Sequence, residues 1–265
     1  MPRLPPFPRG IHRGGLRRSR HRCRRAGSED QRLSREKTVS GIAPDPRLRA
    51  AAGFVRQGAV FADIGTDHAY LPLFLLEEGR IARAVCTDIN EGPLASARAH
   101  AAMTHYIDNM TFRLADGAAC LADEGVTDVA ICGMGGELIA DILSRAPFLE
   151  TEGIRLILQP MTRHSAVRRY LAAHGFRVVG EAFPRSEGKR YVVLAAEFAG
   201  GSYALTPIEE ELGALTEEKL ADPAFLDYAA ARRTTLEKIV RGKRLGGESS
   251  REEEALLSQF KELLR

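Results

Sequence analysis

Apolar positions recur along this chain at two spacings, and the switches between them mark out its elements. Leu48, Ala52 and Val55 carry the spacing of a short amphipathic helix that begins near Pro46. Val60–Ile64 reads as a first strand, and a helix is predicted after it from about Ala69 to Glu78. Ala84–Ile89 is the second strand, followed by a helix over Gly92–Met103 with Leu94, Ala97, Ala101 and Ala102. Met110–Leu114 is the third strand and ends in Ala115-Asp116-Gly117. Asp128–Cys132 is the fourth and runs into Gly133-Met134-Gly135-Gly136, with a helix from Glu137 to Ser144. Arg155–Gln159 is the fifth, before a helix carrying Val167, Tyr170 and Leu171. Arg177–Phe183 and Arg190–Phe198, joined by the turn-like Pro184–Lys189, read as an antiparallel pair.

Five β-α units closed by a hairpin predict an α/β fold, a Rossmann-like doubly wound seven-stranded sheet. An antiparallel final strand is, by analogy of fold, the pattern of class I S-adenosylmethionine-dependent methyltransferases. After Gly200-Gly201 the character changes, and Leu205–Arg265 is helical and densely charged. Two apolar stripes there, Phe225 to Val240 and Leu256 to Leu264, flank Gly246-Gly247 and predict a C-terminal helical coiled-coil hairpin. A short helix near Glu209–Leu215 precedes it. The expected organisation is therefore an extension over residues 1–40, an α/β domain over 44–200 and a helical hairpin over 205–265.

Charge changes this picture at one end only. The chain of 265 residues has a formal net charge of +3, but residues 1–40 carry twelve Lys and Arg against three acids. The remainder holds 26 basic and 32 acidic residues, so overall basicity does not point to a nucleic acid. Residues 1–40 are rich in Arg, Pro and Gly without periodicity, and are expected to be disordered. A basic nucleic-acid arm, an Arg-rich targeting peptide and a stretch outside the natural protein compete as readings, and the third is favoured. Residues 1–38 are then expected to be dispensable, with Val39 as a start encoded by GTG. Cys23, Cys86, Cys120 and Cys132 form no C-x-x-C pair and read as reduced thiols of a cytoplasmic protein. No apolar run approaches the roughly 20 residues that span a bilayer, so no membrane is expected.

Candidate chemistry gathers at the ends of the strands, where open α/β sheets bind ligands. Asp63, Asp88, Asp116 and Gly133 close four strands. With Gly65, Ile89, Gly117, Met134 and Gly135 they form the candidate cofactor wall. Gly65 permits a close turn, Asp88 stands where a carboxylate grips a ribose diol, and Asp116 suits an adenine amine. The three glycines after the fourth strand leave backbone carbonyls free to face a sulfonium or a planar base. A nicotinamide dehydrogenase fits less well: G-x-G-x-x-G is absent, and Asp67 would repel a pyrophosphate from the helix N-terminus.

Three motifs then carry a resemblance. Asp63-Ile64-Gly65-Thr66-Asp67-His68-Ala69-Tyr70-Leu71-Pro72, Gly133-Met134-Gly135-Gly136-Glu137-Leu138-Ile139 and Leu156-Ile157-Leu158-Gln159-Pro160 are similar to the bacterial tRNA (adenine(22)-N1)-methyltransferase family. The likeness spans roughly Arg47 to Phe198 and continues, as architecture only, into the hairpin. It implies a class I methyltransferase fold, S-adenosyl-L-methionine as donor and tRNA as acceptor. One position departs from the family, which often has Asn where this chain has Met161.

Adenine N1 can attack a sulfonium methyl with its own lone pair, and the ring becomes cationic as the bond forms. A carboxylate accepting from the N6 amine would stabilise that charge, and Asp67 is the choice for it, against the alternative of an N-cap. His68 could orient the base or be structural, and Tyr70 could stack on it or pack in the core. The basic groups expected to meet RNA are Arg163, Arg168 and Arg169, then Lys189 and Arg190 with neighbouring Arg185, then Arg232, Arg233, Arg241, Lys243 and Arg244. A solvated helix face competes at each cluster. The histidines lack ligand spacing, so no metal is expected, and nothing marks a protein partner. A methyltransferase acting on another RNA or a small molecule, and a non-catalytic RNA-binding protein that retains the pocket, remain alternatives.

Overall fold

A computed structural model describes residues 44–265 of the chain, so the expectations for residues 1–40 lie outside the described residues. Asp45 opens the first helix, α1 (Pro46–Phe54), by accepting from the amides of Arg47 and Leu48 at 2.7 and 3.2 Å. The strands and helices of the sheet follow in alternation: β1 (Ala59–Ile64), α2 (Tyr70–Glu77), β2 (Ile81–Asp88), α3 (Glu91–Ala102), β3 (Met110–Leu114), β4 (Asp128–Gly135), α4 (Gly136–Ser144), β5 (Arg155–Thr162) and α5 (His164–Ala173). The chain then forms β6 (Phe176–Ala182), a small ribbon of β7 (Arg185–Ser186) and β8 (Lys189–Arg190), and β9 (Val193–Phe198). The C-terminal segment contains α6 (Pro207–Leu212), α7 (Glu217–Leu220), α8 (Pro223–Leu245) and α9 (Arg251–Leu263).

Seven strands form one sheet in the order β3-β2-β1-β4-β5-β9-β6, with β9 antiparallel to both neighbours. The chain reverses its direction of travel across the sheet between β1 and β4, and that switch point opens a crevice at the carboxyl ends of the strands. Two apolar layers cover the sheet. One joins α1, α2 and α3 through residues such as Ala51, Leu71, Leu75 and Ala97. The other joins α4 and α5 to the C-terminal helices through Ile139, Val167, Leu171, Phe225, Tyr228 and Phe260.

Two expectations need correction. β4 does not end at Cys132 but pairs on through Met134 and Gly135, opposite Pro160 and Thr162 of a longer β5. The ladder shifts register on both sides of Met134, and Gly133 takes a φ of +82°, so the glycines build a bulge inside a strand rather than a free loop. Nor do the C-terminal helices stand apart. Phe225, Tyr228, Ala229 and Phe260 are buried in the layer that covers the sheet, and the rings of Phe225 and Tyr228 each lie 5.2 Å from Phe183. All described residues fall in one compact unit, because a helix stripe of this size needs an apolar partner and the sheet supplies it.

Candidate functional site

A cavity of about 670 Å³ opens at the switch point. Asp63, Gly65, Asp67, His68, Tyr70, Asp88, Ile89, Asp116, Gly117, Gly133 and Met134 line it, so nearly all the expected cofactor and catalytic residues converge. Gly135 does not: it lies past the wall as the N-cap of α4. The reason is the strand bulge, which turns the chain into α4 one residue beyond Met134.

Gly65 is favoured by its backbone, and Met134 packs into the space its missing side chain leaves. Its φ is +76°, and a Cβ there would stand 2.1 Å from Met134 Cε. The amides of Gly65 and Thr66 both donate to Thr87 O, at 2.8 and 2.9 Å, which holds the β1 turn against β2. Gly136 is needed, because a Cβ there would meet Arg163 O at 2.2 Å where the β5–α5 turn passes behind the bulge.

The wall is acidic. Asp63 is buried, and burial pushes its carboxyl up to about 6; the Thr66 hydroxyl, donating at 2.7 Å, opposes this and the nearby Asp88 charge adds to it. Asp88 accepts from the Asn90 amide at 2.8 Å. Asp116 is held by both terminal nitrogens of Arg145, at 2.7 and 3.2 Å, and this hydrogen bonding keeps its carboxyl below the usual range. Burial pushes the thiols of Cys86 and Cys132 up, so both stay protonated.

The turn between β1 and α2 carries Asp67, His68 and Tyr70. Asp67 is exposed and lies 3.6 Å from His68 Nε2. The residue at the N-cap of α2 is Ala69, with no side-chain cap, so Asp67 is not a helix cap. Tyr70 is 43% exposed, which excludes core packing as its role. Its ring lies 5.3 Å from His68 and 5.2 Å from His100.

Sequence reasoning missed the contribution of α1. Asp45, Arg47 and Leu48 line the cavity. Arg47 Nη1 donates to Gln159 Oε1 at 2.9 Å, and the same oxygen accepts from the Gly133 amide at 3.1 Å, so a buried glutamine ties α1 to the glycine bulge. No local pattern could have revealed a partner 112 residues away. The departing residue, Met161, places its sulfur 3.6 Å from Arg47 Nη1 and 3.5 Å from Gln159 Nε2, within the same network.

The basic groups fare differently. Arg168 is 3% exposed and sits with Lys219 around Glu181, so its assignment to RNA is wrong; the apolar face of α5 carries it under the C-terminal segment. Arg190 forms a fork with Asp227 at 2.9 Å to both oxygens. Arg169 pairs with Glu210, Arg232 with Glu211, Arg233 with Glu237, Lys243 with Glu253 and Arg244 with Glu254. Arg163 is exposed, 3.7 Å from Glu137. Of the cations expected to meet RNA, Lys189 and Arg241 are exposed and form no ion pair with a described residue. No group of three or more His, Cys, Asp or Glu among them could hold a metal ion.

Comparison with known proteins agrees with this geometry. Residues 45–194 match the family described as "Methyltransferase domain". The chain is 33% identical over 175 residues to the tRNA (adenine(22)-N(1))-methyltransferase of Bacillus subtilis (strain 168), covering 66% of this chain and 74% of that protein. The crystal structure of the B. subtilis M1A22 tRNA methyltransferase TrmK superposes with a TM-score of 0.72 at 27% identity, covering 84% of this chain and all (100%) of that one. A Streptococcus pneumoniae tRNA (m1A22) methyltransferase candidate, solved in complex with S-adenosyl-L-methionine, superposes with a TM-score of 0.71 at 32% identity, covering 83% of this chain and 98% of that one.

Proposed function

We infer the reaction from family membership: this chain belongs to the bacterial tRNA (adenine(22)-N1)-methyltransferases. It is an enzyme that transfers a methyl group from S-adenosyl-L-methionine to N1 of an adenine in tRNA, and we take nucleotide 22 as its target from the B. subtilis relative. The observation that carries the reading is the acidic crevice at the switch point. Asp63, Asp67, Asp88 and Asp116 line it, while its one lining arginine, Arg47, is paired with Asp45 at 2.7 Å.

The residues present fit this donor. A buried carboxylate whose pKa is raised to about 6 lacks a counter-cation, and the donor carries an ammonium and a sulfonium. The fully buried Thr87 hydroxyl, also in the wall, has no hydrogen-bond partner among the described residues. Asp63 would face the positive groups, Asp88 the ribose and Asp116, oriented by Arg145, the adenine amine. The bulge at Gly133 and Met134 would hold the reacting end. When bound, S-adenosyl-L-methionine supplies an electrophilic methyl group.

The chain's own work is placement and charge. The target adenine must leave its stack to expose N1, and Tyr70, exposed at the mouth, offers a ring for it to lie on. Asp67 accepts from the N6 amine and stabilises the positive charge that spreads over the ring as N1 takes the methyl group. His68, beside Asp67, orients that carboxylate.

The tRNA itself needs a larger surface. β6 is parallel to β5, so the ribbon that follows it stands at the same rim as the crevice. There Lys189 and Arg185 are exposed without ion pairs, Arg163 lies on the neighbouring β5–α5 turn, and Arg49 is exposed on α1. These cations, with Arg241 on α8, are our candidates for phosphate contacts. No helix among the described residues is long and apolar enough to cross a membrane, and we place the enzyme with tRNA in the cytoplasm.

The direct test is incubation of the full chain with unmodified tRNA and methyl-labelled donor, followed by nucleoside analysis. N1-methyladenosine should carry the label; label in another nucleoside, or none, rejects the reading.

A further inference from the structure

The turn that bears Asp67 and Tyr70 is poorly supported from within. Ala69 adopts a φ of 56°, in the left-handed region that disfavours any residue with a Cβ. α2 begins there with no side-chain cap. The Thr66 hydroxyl, the nearest candidate cap, donates instead to Asp63. The tethers to Thr87 O hold only residues 65 and 66. Beyond them, among the described residues, one polar contact reaches this turn from another element: His100 Nδ1 lies 2.8 Å from His68 O.

A carbonyl can only accept, so Nδ1 carries the proton in that contact. The bond thus persists whether Nε2 is protonated or not. The same ring meets Tyr70 edge-on, with centroids 5.2 Å apart and planes at 74°. His100 lies in the last turn of α3, and that helix is fixed to the sheet by Leu94, Ala97 and Ala101. One side chain anchored to the core therefore grips the backbone between Asp67 and Ala69 and braces the ring that follows.

We propose that His100 is a positioning residue for methyl transfer, holding the β1–α2 turn so that Asp67 and Tyr70 meet the target base together. This rests on the tRNA methyltransferase reading above. His100 touches neither reactant in this role, and it acts through His68 O and the Tyr70 ring.

His100→Asn and His100→Leu test it as a pair. The two replacements share the same branching and number of side-chain heavy atoms, but only Asn presents a donor at the position of Nδ1. Single-turnover methyl transfer with saturating donor and tRNA should fall about 10- to 100-fold in His100→Leu, the effect expected of a slight misplacement of catalytic groups. His100→Asn should stay within about threefold of wild type, the loss left once its hydrogen bond is kept. Donor dissociation constants should agree within about twofold in both, since Asp88 closes β2, Asp116 follows β3, Asp63 lies within β1, and Gly65 is held by Thr87 O independently of His100. Equal rates for Asn and Leu, or a loss confined to donor binding, would overturn the proposal. A wild-type protein that makes no N1-methyladenosine would instead overturn the reading beneath it.

Discussion

The rim of the crevice and the C-terminal hairpin both carry charge and use it in opposite ways. At the rim the carboxylates outnumber their partners: Asp63 is buried with a hydroxyl for company, and Asp67 is exposed beside a histidine. Along the hairpin the acids and bases are matched, Lys243 to Glu253, Arg244 to Glu254 and Arg232 to Glu211. Unmatched charge that the fold tolerates marks where a charged ligand completes the site, whereas matched charge holds two elements together. A run of cations in sequence says nothing about which of the two it is.

If the hairpin is part of the fold, the strongest disruption comes from its base. Phe225 is fully buried between α8 and the sheet layer, against Phe183. Phe225→Ala should destabilise the whole protein by about 3–5 kcal/mol in urea or guanidinium unfolding, with catalytic domain and hairpin melting together. Deletion of Leu205–Arg265 should likewise fail to leave a stable domain. A single-step unfolding that shifts by less than about 1 kcal/mol would return the hairpin to the status of a detachable arm.

At the rim the largest effect should be on rate. Asp67→Ala removes the carboxylate expected to meet the developing positive charge, so single-turnover methylation should fall about 10²- to 10³-fold. Folding and donor affinity should survive, because Asp67 caps nothing and is exposed. A variant that methylates at the wild-type rate would leave the acidic rim without a catalytic member.

Asp63 turns the comparison into a pH dependence. Its folded pKa is raised from 3.8 to about 6, so the neutral carboxyl is the form the fold prefers. The associated stability is fully present below pH 3.8 and is lost as pH rises through about 6. The size is at most about 3 kcal/mol. Asp63→Asn should flatten the stability profile of the donor-free protein between these limits. Donor affinity should rise with pH across the same window in wild type, since a cationic ligand draws the proton off, and should be flat in the variant. Calorimetry showing the same pH profile for both would separate Asp63 from the cationic end of the donor.

The centre of the sheet is legible in sequence because the burial of β1, β4, β5 and β9 follows their apolar runs. Met110–Leu114 is found with the bounds expected, and the acids that close the strands meet in one cavity because β1, β2, β3 and β4 run parallel and end on that rim. What escaped notice depends on partners distant in the chain. Arg47 and Gln159 meet across 112 residues, and the Arg168 side chain is buried by a segment some 50 residues later that brings Lys219 to Glu181. His100 carries no ligand spacing in the sequence, and the backbone carbonyl it meets lies 32 residues earlier. The β7–β8 ribbon falls within the turn-like Pro184–Lys189 and the first residue of the predicted strand Arg190–Phe198, since two-residue strands carry no periodicity to detect.

The smallest predicted effect is also the sharpest test of matched against unmatched charge. Arg241, Lys243 and Arg244 lie within four residues on α8, and as a sequence all three qualify equally for phosphate contacts. In the structure Lys243 and Arg244 face Glu253 and Glu254 of α9, and only Arg241 is exposed without an ion pair. A phosphate that recruited Lys243 or Arg244 would have to compete with a carboxylate already in contact, and would release fewer counterions than a free cation does. Arg241→Gln should therefore lower the salt slope of tRNA binding by about one. The double variant Lys243→Gln, Arg244→Gln should leave that slope unchanged, although it removes twice the charge. A larger slope change in the double variant would mean that α9 yields its partners to the RNA, and the hairpin would then be an interface held closed by its own acids.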